Sequence, residues 1–123
     1  MEKAKVMQLF RLFAFLEDAR PWQDLADAAM MRVTAELKPD ADPDDPRLCY
    51  YAAAEANLQY RRLIAARSVT PTYAGTAAAQ HCADGQCALA ERLLNAYREN
   101  AADLLKDDAF VFAAIPEQAG CSP

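Results

Sequence analysis

Residues 44–69, DDPRLCYYAAAEANLQYRRLIAARSV, constrain the fold more than any other stretch, because they are apolar on two sides of a helix. At 100° per residue, Cys49, Ala52, Ala53, Ala56, Tyr60, Leu63 and Ile64 form one wide stripe, and Tyr51, Ala54, Leu58 and Ala65 form a second. Two polar seams separate them, Glu55, Gln59 and Arg62 on one side and Asn57 and Arg61 on the other. A helix patterned in this way expects two different neighbours and reads as the centre of a small bundle. The six alanines between positions 52 and 66 favour helix and let partners come close. A second stripe fits a subunit contact equally well, and the sequence leaves both readings open.

The segments on either side are also helical in pattern. Near the start, Val6, Leu9, Phe10, Phe13 and Leu16 share one face, while Leu12 and Phe15 fall off it. Exposed, those two side chains are liabilities, so this helix calls for further cover from the chain or from another subunit. Pro21 suits the first position of a second helix, where its missing N–H costs nothing. That helix presents Trp22, Leu25, Ala26, Ala29, Met30, Val33 and Leu37 and is expected to stop at Lys38-Pro39. The linker KPDADPDDP is too rich in Pro and Asp to be helical, and reads as a solvated connection ending in an Asp45 N-cap and Pro46.

Residues 70–86 form a long small-residue loop containing Pro71, Tyr73, Gly75 and Gly85, the kind of segment that often contacts partners. A last helix over residues 86–106 carries Ala90, Leu93, Leu94, Tyr97, Ala101, Leu104 and Leu105 on one stripe. Asp107 and Asp108 are expected to end it. The apolar tail AFVFAAIP follows, with Phe110 and Phe112 on one side of an extended segment. The expectation is therefore an all-α, four-helix bundle with a long loop before the last helix and an extended apolar tail. Residues 1–115 make one helical domain, and residues 116–123 a disordered end.

With 123 residues the chain is large enough for a core without metal or disulfide support. A net charge of −5 argues against a sequence-independent grip on nucleic-acid backbone. The lysine-containing N-terminus is interrupted by Gln8 and Arg11, so neither a signal peptide nor a membrane span is expected. Cys49, Cys82, Cys87 and Cys121 then read as free thiols of a reducing cytoplasm, with Cys82 and Cys87 able to oxidise to a disulfide if their Cα atoms come within range. His81, Cys82 and Cys87 in HCADGQC suggest a metal site at first sight, but structural zinc needs four ligands and no fourth is evident. No metal or cofactor is expected. His81 is the only imidazole, and neither a nucleophile elbow nor a phosphate-binding loop occurs, so no catalysis is expected. Tyr50, Tyr51 and Tyr60 with Arg61 and Arg62 evoke a base-stacking surface, but the two arginines point along opposite seams.

The order of elements carries a resemblance. A helix opening W-x-x-L, an acidic Pro-containing turn, a central helix beginning DPRLCYYAAAEANLQYRRL, a small-residue loop and a helix closing ADLLKDDAFVF resemble, over residues 22–115, small head–tail connector proteins of tailed phages and prophages. The resemblance implies a helical subunit that assembles as a ring at the portal, made in the bacterial cytoplasm and carried into the virion. Its implied partners are other copies of itself and a portal or neighbouring assembly protein, with no sequence-specific nucleic acid and no membrane. Phe15, Tyr51, Leu58, Tyr73, Phe110, Phe112 and Ile115 are the candidate interface residues. The four cysteines and the negative charge depart from what a virion channel protein suggests. Two other classes remain: a cytoplasmic helical interaction module, dimeric through the second stripe, and a metal- or thiol-dependent regulator built on His81, Cys82 and Cys87.

Overall fold

The computed structural model describes residues 1–67 and 85–106, and the protein is all-α. Among the described residues are four α-helices: α1 (Lys3–Ala14), α2 (Gln23–Glu36), α3 (Pro46–Arg67) and α4 (Gln86–Asn100). Short 3-10 turns, Arg20–Trp22 and Ala102–Leu104, precede α2 and follow α4. Pro21 sits in the first of these turns, one element earlier than a first α-helical position.

α3 is the axis of the bundle. It packs against α1, α2 and α4, three neighbours where the two stripes predict two. Every residue from Tyr51 to Leu58 is buried, including Glu55 and Asn57 of the polar seams. Small side chains make this possible: Ala52, Ala53, Ala54 and Ala56 are fully enclosed and let three helices crowd around one backbone. Glu55 is only 8 % exposed and Asn57 only 3 %, so both seams begin in the interior, and they reach the surface toward Arg61 and Arg62. Glu55 is tolerated because Arg32 of α2 forms an ion pair with it and Gln59 Nε2 donates to it at 3.2 Å. The second stripe, Tyr51, Ala54 and Leu58, is buried within the chain.

Polar contacts fix the directions of the helices. The Met1 ammonium donates to the Pro43 carbonyl at 2.6 Å and to Asp44 at 2.8 Å, while Arg61 Nη2 donates to the Phe13 carbonyl at 3.3 Å. So α1 starts beside the beginning of α3 and ends beside its last turns. α2 runs the other way, with Trp22 near Tyr60 and Glu36 bonded to Tyr51. α4 does the same, with Glu91 paired to Arg62 and Asn100 held by Arg47. The core between them is Val6, Leu9, Phe10, Ala26, Ala29, Val33, Leu48, Ala101 and Leu105 around the α3 alanines.

The ends of α3 are fastened by side chains. Asp45 accepts the Arg47 N–H at 3.0 Å, the N-cap expected from the sequence, with Pro46 in the first turn. Arg47 then spans the bundle: its guanidinium donates to Asp45, to Asp103 at 2.8 Å and to the Asn100 carbonyl at 3.0 Å. A cation at the final carbonyls of α4 completes their hydrogen bonding and complements the helix dipole. α4 therefore stops at Asn100, earlier than the apolar stripe predicts, and the chain turns to run beside the end of α2. There Leu37 and Leu105 form an antiparallel bridge, with Lys38 N–H on Leu104 O at 3.0 Å and Lys106 N–H on Glu36 O at 2.8 Å. The expected ending at Asp107 and Asp108, the loop residue Tyr73 and the tail residues Phe110, Phe112 and Ile115 lie outside the described residues.

Two predictions follow from this packing. Ala53→Leu forces added volume into a site with no room, and unfolding in denaturant is expected to show a loss of about 1–3 kcal/mol. Hydrogen bonds from Arg47 hold the Asp45 and Asp103 carboxyls below their ordinary range. Their folded values lie under the unfolded ones, so this stabilisation is complete above about pH 4 and is lost as pH falls through the folded values. An acid titration of thermal stability should show that descending limb, and Arg47→Met should flatten it.

Candidate functional site

The surface is read from what the fold leaves exposed. Phe15 follows the last residue of α1 and adopts φ 58°, ψ 41°, a left-handed conformation that side chains other than Gly seldom take. Leu16 N–H donates to Arg11 O at 3.0 Å and Phe15 N–H to Leu12 O at 3.3 Å, the paired bonds of a Schellman helix end. The sequence thus puts a bulky aromatic where glycine relieves strain, and that ring is 86 % exposed. Leu12, one turn back, is half exposed. The sequence placed both off the helix's inner face, and both are on the surface.

A cluster of rings and arginines surrounds Phe15. The Arg61 guanidinium lies 5.8 Å from the centre of the Phe15 ring and 5.9 Å from that of Tyr60. Tyr60 in turn meets Trp22 edge-on at 5.1 Å and Phe10 at 6.1 Å. Arg67 lies 5.8 Å over Trp22. Contacts of this kind hold the guanidinium planes in place over apolar rings. The result is a knob at one end of the bundle: a projecting Phe15 backed by Arg61, with its base set in the core by Tyr60 and Phe10. A second group of rings, Phe13 stacked on Tyr97 at 5.7 Å and Tyr97 against Tyr50 at 5.4 Å, ties α1 to α4 below it.

Tyr51 and Leu58, the other candidate interface residues that the structure describes, are placed inside. The Tyr51 hydroxyl donates to Glu36 Oε1 at 2.8 Å, and Arg98 Nη2 lies 3.9 Å from the same oxygen. Burial, and then the Glu36 hydrogen bond, push the Tyr51 hydroxyl well above the ordinary phenol range. It stays protonated and works as a structural donor. The remaining tyrosines and arginines do not form one surface: Tyr50 and Tyr60 are engaged in ring contacts, Arg61 reaches α1, and Arg62 pairs with Glu91 of α4 at 3.0 Å. A base-stacking surface built on them finds no support in this arrangement.

The two described cysteines differ in state, and Cys49 is the free thiol expected. Cys49 is free and buried, its Sγ 4.0 Å from the Glu2 carbonyl at the floor of a cleft of about 390 Å³ lined by Glu2, Lys5, Asp44 and Pro46. Cys87, in the first turn of α4, is disulfide-bonded, not the free thiol that the sequence suggests. His81 and Cys82 lie outside the described residues. A disulfide sulfur cannot serve as a thiolate ligand, which weakens the His81–Cys82–Cys87 metal grouping. Among the described residues no cluster of His, Cys, Asp and Glu is arranged to hold a metal ion. No helix among them is long and apolar enough to cross a membrane.

Sequence reasoning singled out Phe15 but missed Arg61 as its companion, because the wheel placed that arginine in a polar seam with no view of α1. Replacing Phe15 by Gly removes left-handed strain and little buried surface. Phe15→Gly is expected to raise unfolding stability by about 1 kcal/mol, measured by denaturant titration. No family model matches the chain, and it has no significant match among curated proteins or solved structures.

Proposed function

We propose that this chain is a non-enzymatic assembly protein that engages protein subunits through the Phe15 end of its bundle. In the specific form implied by the resemblance, it is a ring-forming head–tail connector of a phage or prophage. The observation that carries the reading is Phe15 itself, an aromatic held in a left-handed conformation with its ring in water. Selection for folding alone favours glycine at such a position, and exposed strained residues concentrate where a chain meets other molecules. Leu12, exposed on the same turn, extends the apolar surface.

The interaction-module alternative relied on the second stripe of α3, and burial of Tyr51, Ala54 and Leu58 within the chain counts against a dimer formed there. The metal-dependent alternative loses a ligand with Cys87 in a disulfide. In the assembly reading the chain is made in the bacterial cytoplasm, associates with itself and with a portal or adjoining protein, and uses no cofactor.

Light scattering over a concentration series, with electron microscopy of the same samples, tests the proposal. Rings of many copies are the expected result. A compact dimer at all concentrations would transfer the assignment to an interaction module, and a chain that stays monomeric into the millimolar range would overturn the self-assembly reading.

A further inference from the structure

The two ends of the bundle differ in chemistry. At the Phe15 end, Arg11, Arg61 and Arg67 make no ion pair among the described residues, whereas Asp18 and Glu91 are taken by Arg20 and Arg62. Glu17 and Asp24 are the remaining carboxylates close in sequence to that knob. At the opposite end lies the connection between α2 and α3. It is folded into two successive turns by Ala41 N–H on Lys38 O and Asp45 N–H on Asp42 O. Pro39, Asp40, Asp42 and Pro43 are all exposed there. Neither Asp40 nor Asp42 makes an ion pair among the described residues, although Asp42 accepts the Asp44 N–H at 2.9 Å. This surface sets two carboxylates between two proline rings, with the Met1 ammonium held on the Pro43 carbonyl and Asp44 beside it, and its complement is an aromatic ring flanked by guanidinium groups.

We infer that copies of this chain join head to tail, the Phe15–Arg61 knob of one copy seating on the Pro39–Asp40–Asp42–Pro43 turn of the next. Phe15 packs on proline, and the arginines meet the carboxylates. A contact of knob against knob, or turn against turn, would instead bring like charges together. Because the two surfaces differ and lie at opposite ends of α3, the contact is heterologous. It leaves a free knob and a free turn on every pair, so it propagates, into a ring where the rotation closes and into an open filament where it does not. The inference rests on the self-assembly reading and names the surfaces that reading requires.

Two variants, each altered at one end, test it. Phe15→Gly removes the aromatic while relieving strain, and Asp40→Lys with Asp42→Lys reverses the charge of the turn. Each alone is expected to raise the dissociation constant for self-association at least about tenfold, with circular dichroism unchanged. An equimolar mixture of the two is expected to form a 1:1 dimer and nothing larger by light scattering, because one intact knob still meets one intact turn. Variants that assemble like the wild type would overturn the head-to-tail contact while leaving self-assembly in place. A mixture that stays monomeric would overturn it too. A wild-type chain that is monomeric under the same conditions would remove both the contact and the self-assembly reading.

Discussion

Everything in this fold depends on how close three helices can come to one. The backbone of α3 between Tyr51 and Leu58 is sheathed on all sides, and only a run of alanines leaves room for that. Larger residues at positions 52–54 and 56 would push the neighbours outward and open gaps beside Val6, Phe10, Val33 and Leu105, which with Leu48 are the largest fully buried side chains. The close approach carries a requirement. Polar groups on the remaining faces of α3 are enclosed as well and must find partners inside the protein. Glu55 finds Arg32 and Gln59, and Tyr51 finds Glu36. Asn57 Oδ1 is the described α3 side-chain atom that is buried and accepts no hydrogen bond.

α3 also completes the helices around it. Arg47 reaches the last carbonyl of α4 and Arg61 reaches the Phe13 carbonyl near the end of α1, so two helix C-termini receive a cation from the same central element. The effect is directional as well as stabilising. An α1 whose end is held by Arg61 keeps its start beside the α2–α3 connection, and an α4 held by Arg47 brings Leu105 against Leu37. Arg61 has a second contact, its guanidinium against the exposed Phe15 ring. The group that anchors α1 is therefore the group that supports the knob, which couples the surface to the core without a further element.

Much of this was legible in the residues. Alanine density and apolar stripes marked α3 as central, the Asp45-Pro46 pair marked its start, and the off-face position of Phe15 and Leu12 marked a surface in need of further cover. What could not be read was partnership across helices. Glu55 and Asn57 look like solvent-facing positions on a wheel, since a single-helix projection contains no Arg32 and no third neighbour. Tyr51 and Leu58 looked available for another subunit for the same reason, before α4 and the rest of the chain were placed around them. The end of α4 was misjudged because its apolar stripe continues through Leu104 and Leu105, which the chain buries from a 3-10 turn and a bridge instead of from a helix. The left-handed turn at Phe15 was invisible because its usual marker, glycine, is missing.

That missing glycine bears on function more than any feature of the interior. A left-handed phenylalanine costs on the order of 1 kcal/mol, a small part of the roughly 5–15 kcal/mol that holds a domain of this size together. A core closed as tightly as this one can tolerate that strain, so folding neither requires the residue nor excludes it. In the isolated chain, the exposed ring gains back little of that cost: one guanidinium contact on a largely solvated face. The balance changes if the ring is buried against another molecule, where an aromatic side chain contributes more than the strain removes. The conformation also fixes the direction in which the ring leaves the helix before any contact is made, so less order must be imposed at the moment of docking. A position that is unfavourable in the lone chain and would become favourable on burial in a complex is what the proposed assembly surface requires of Phe15.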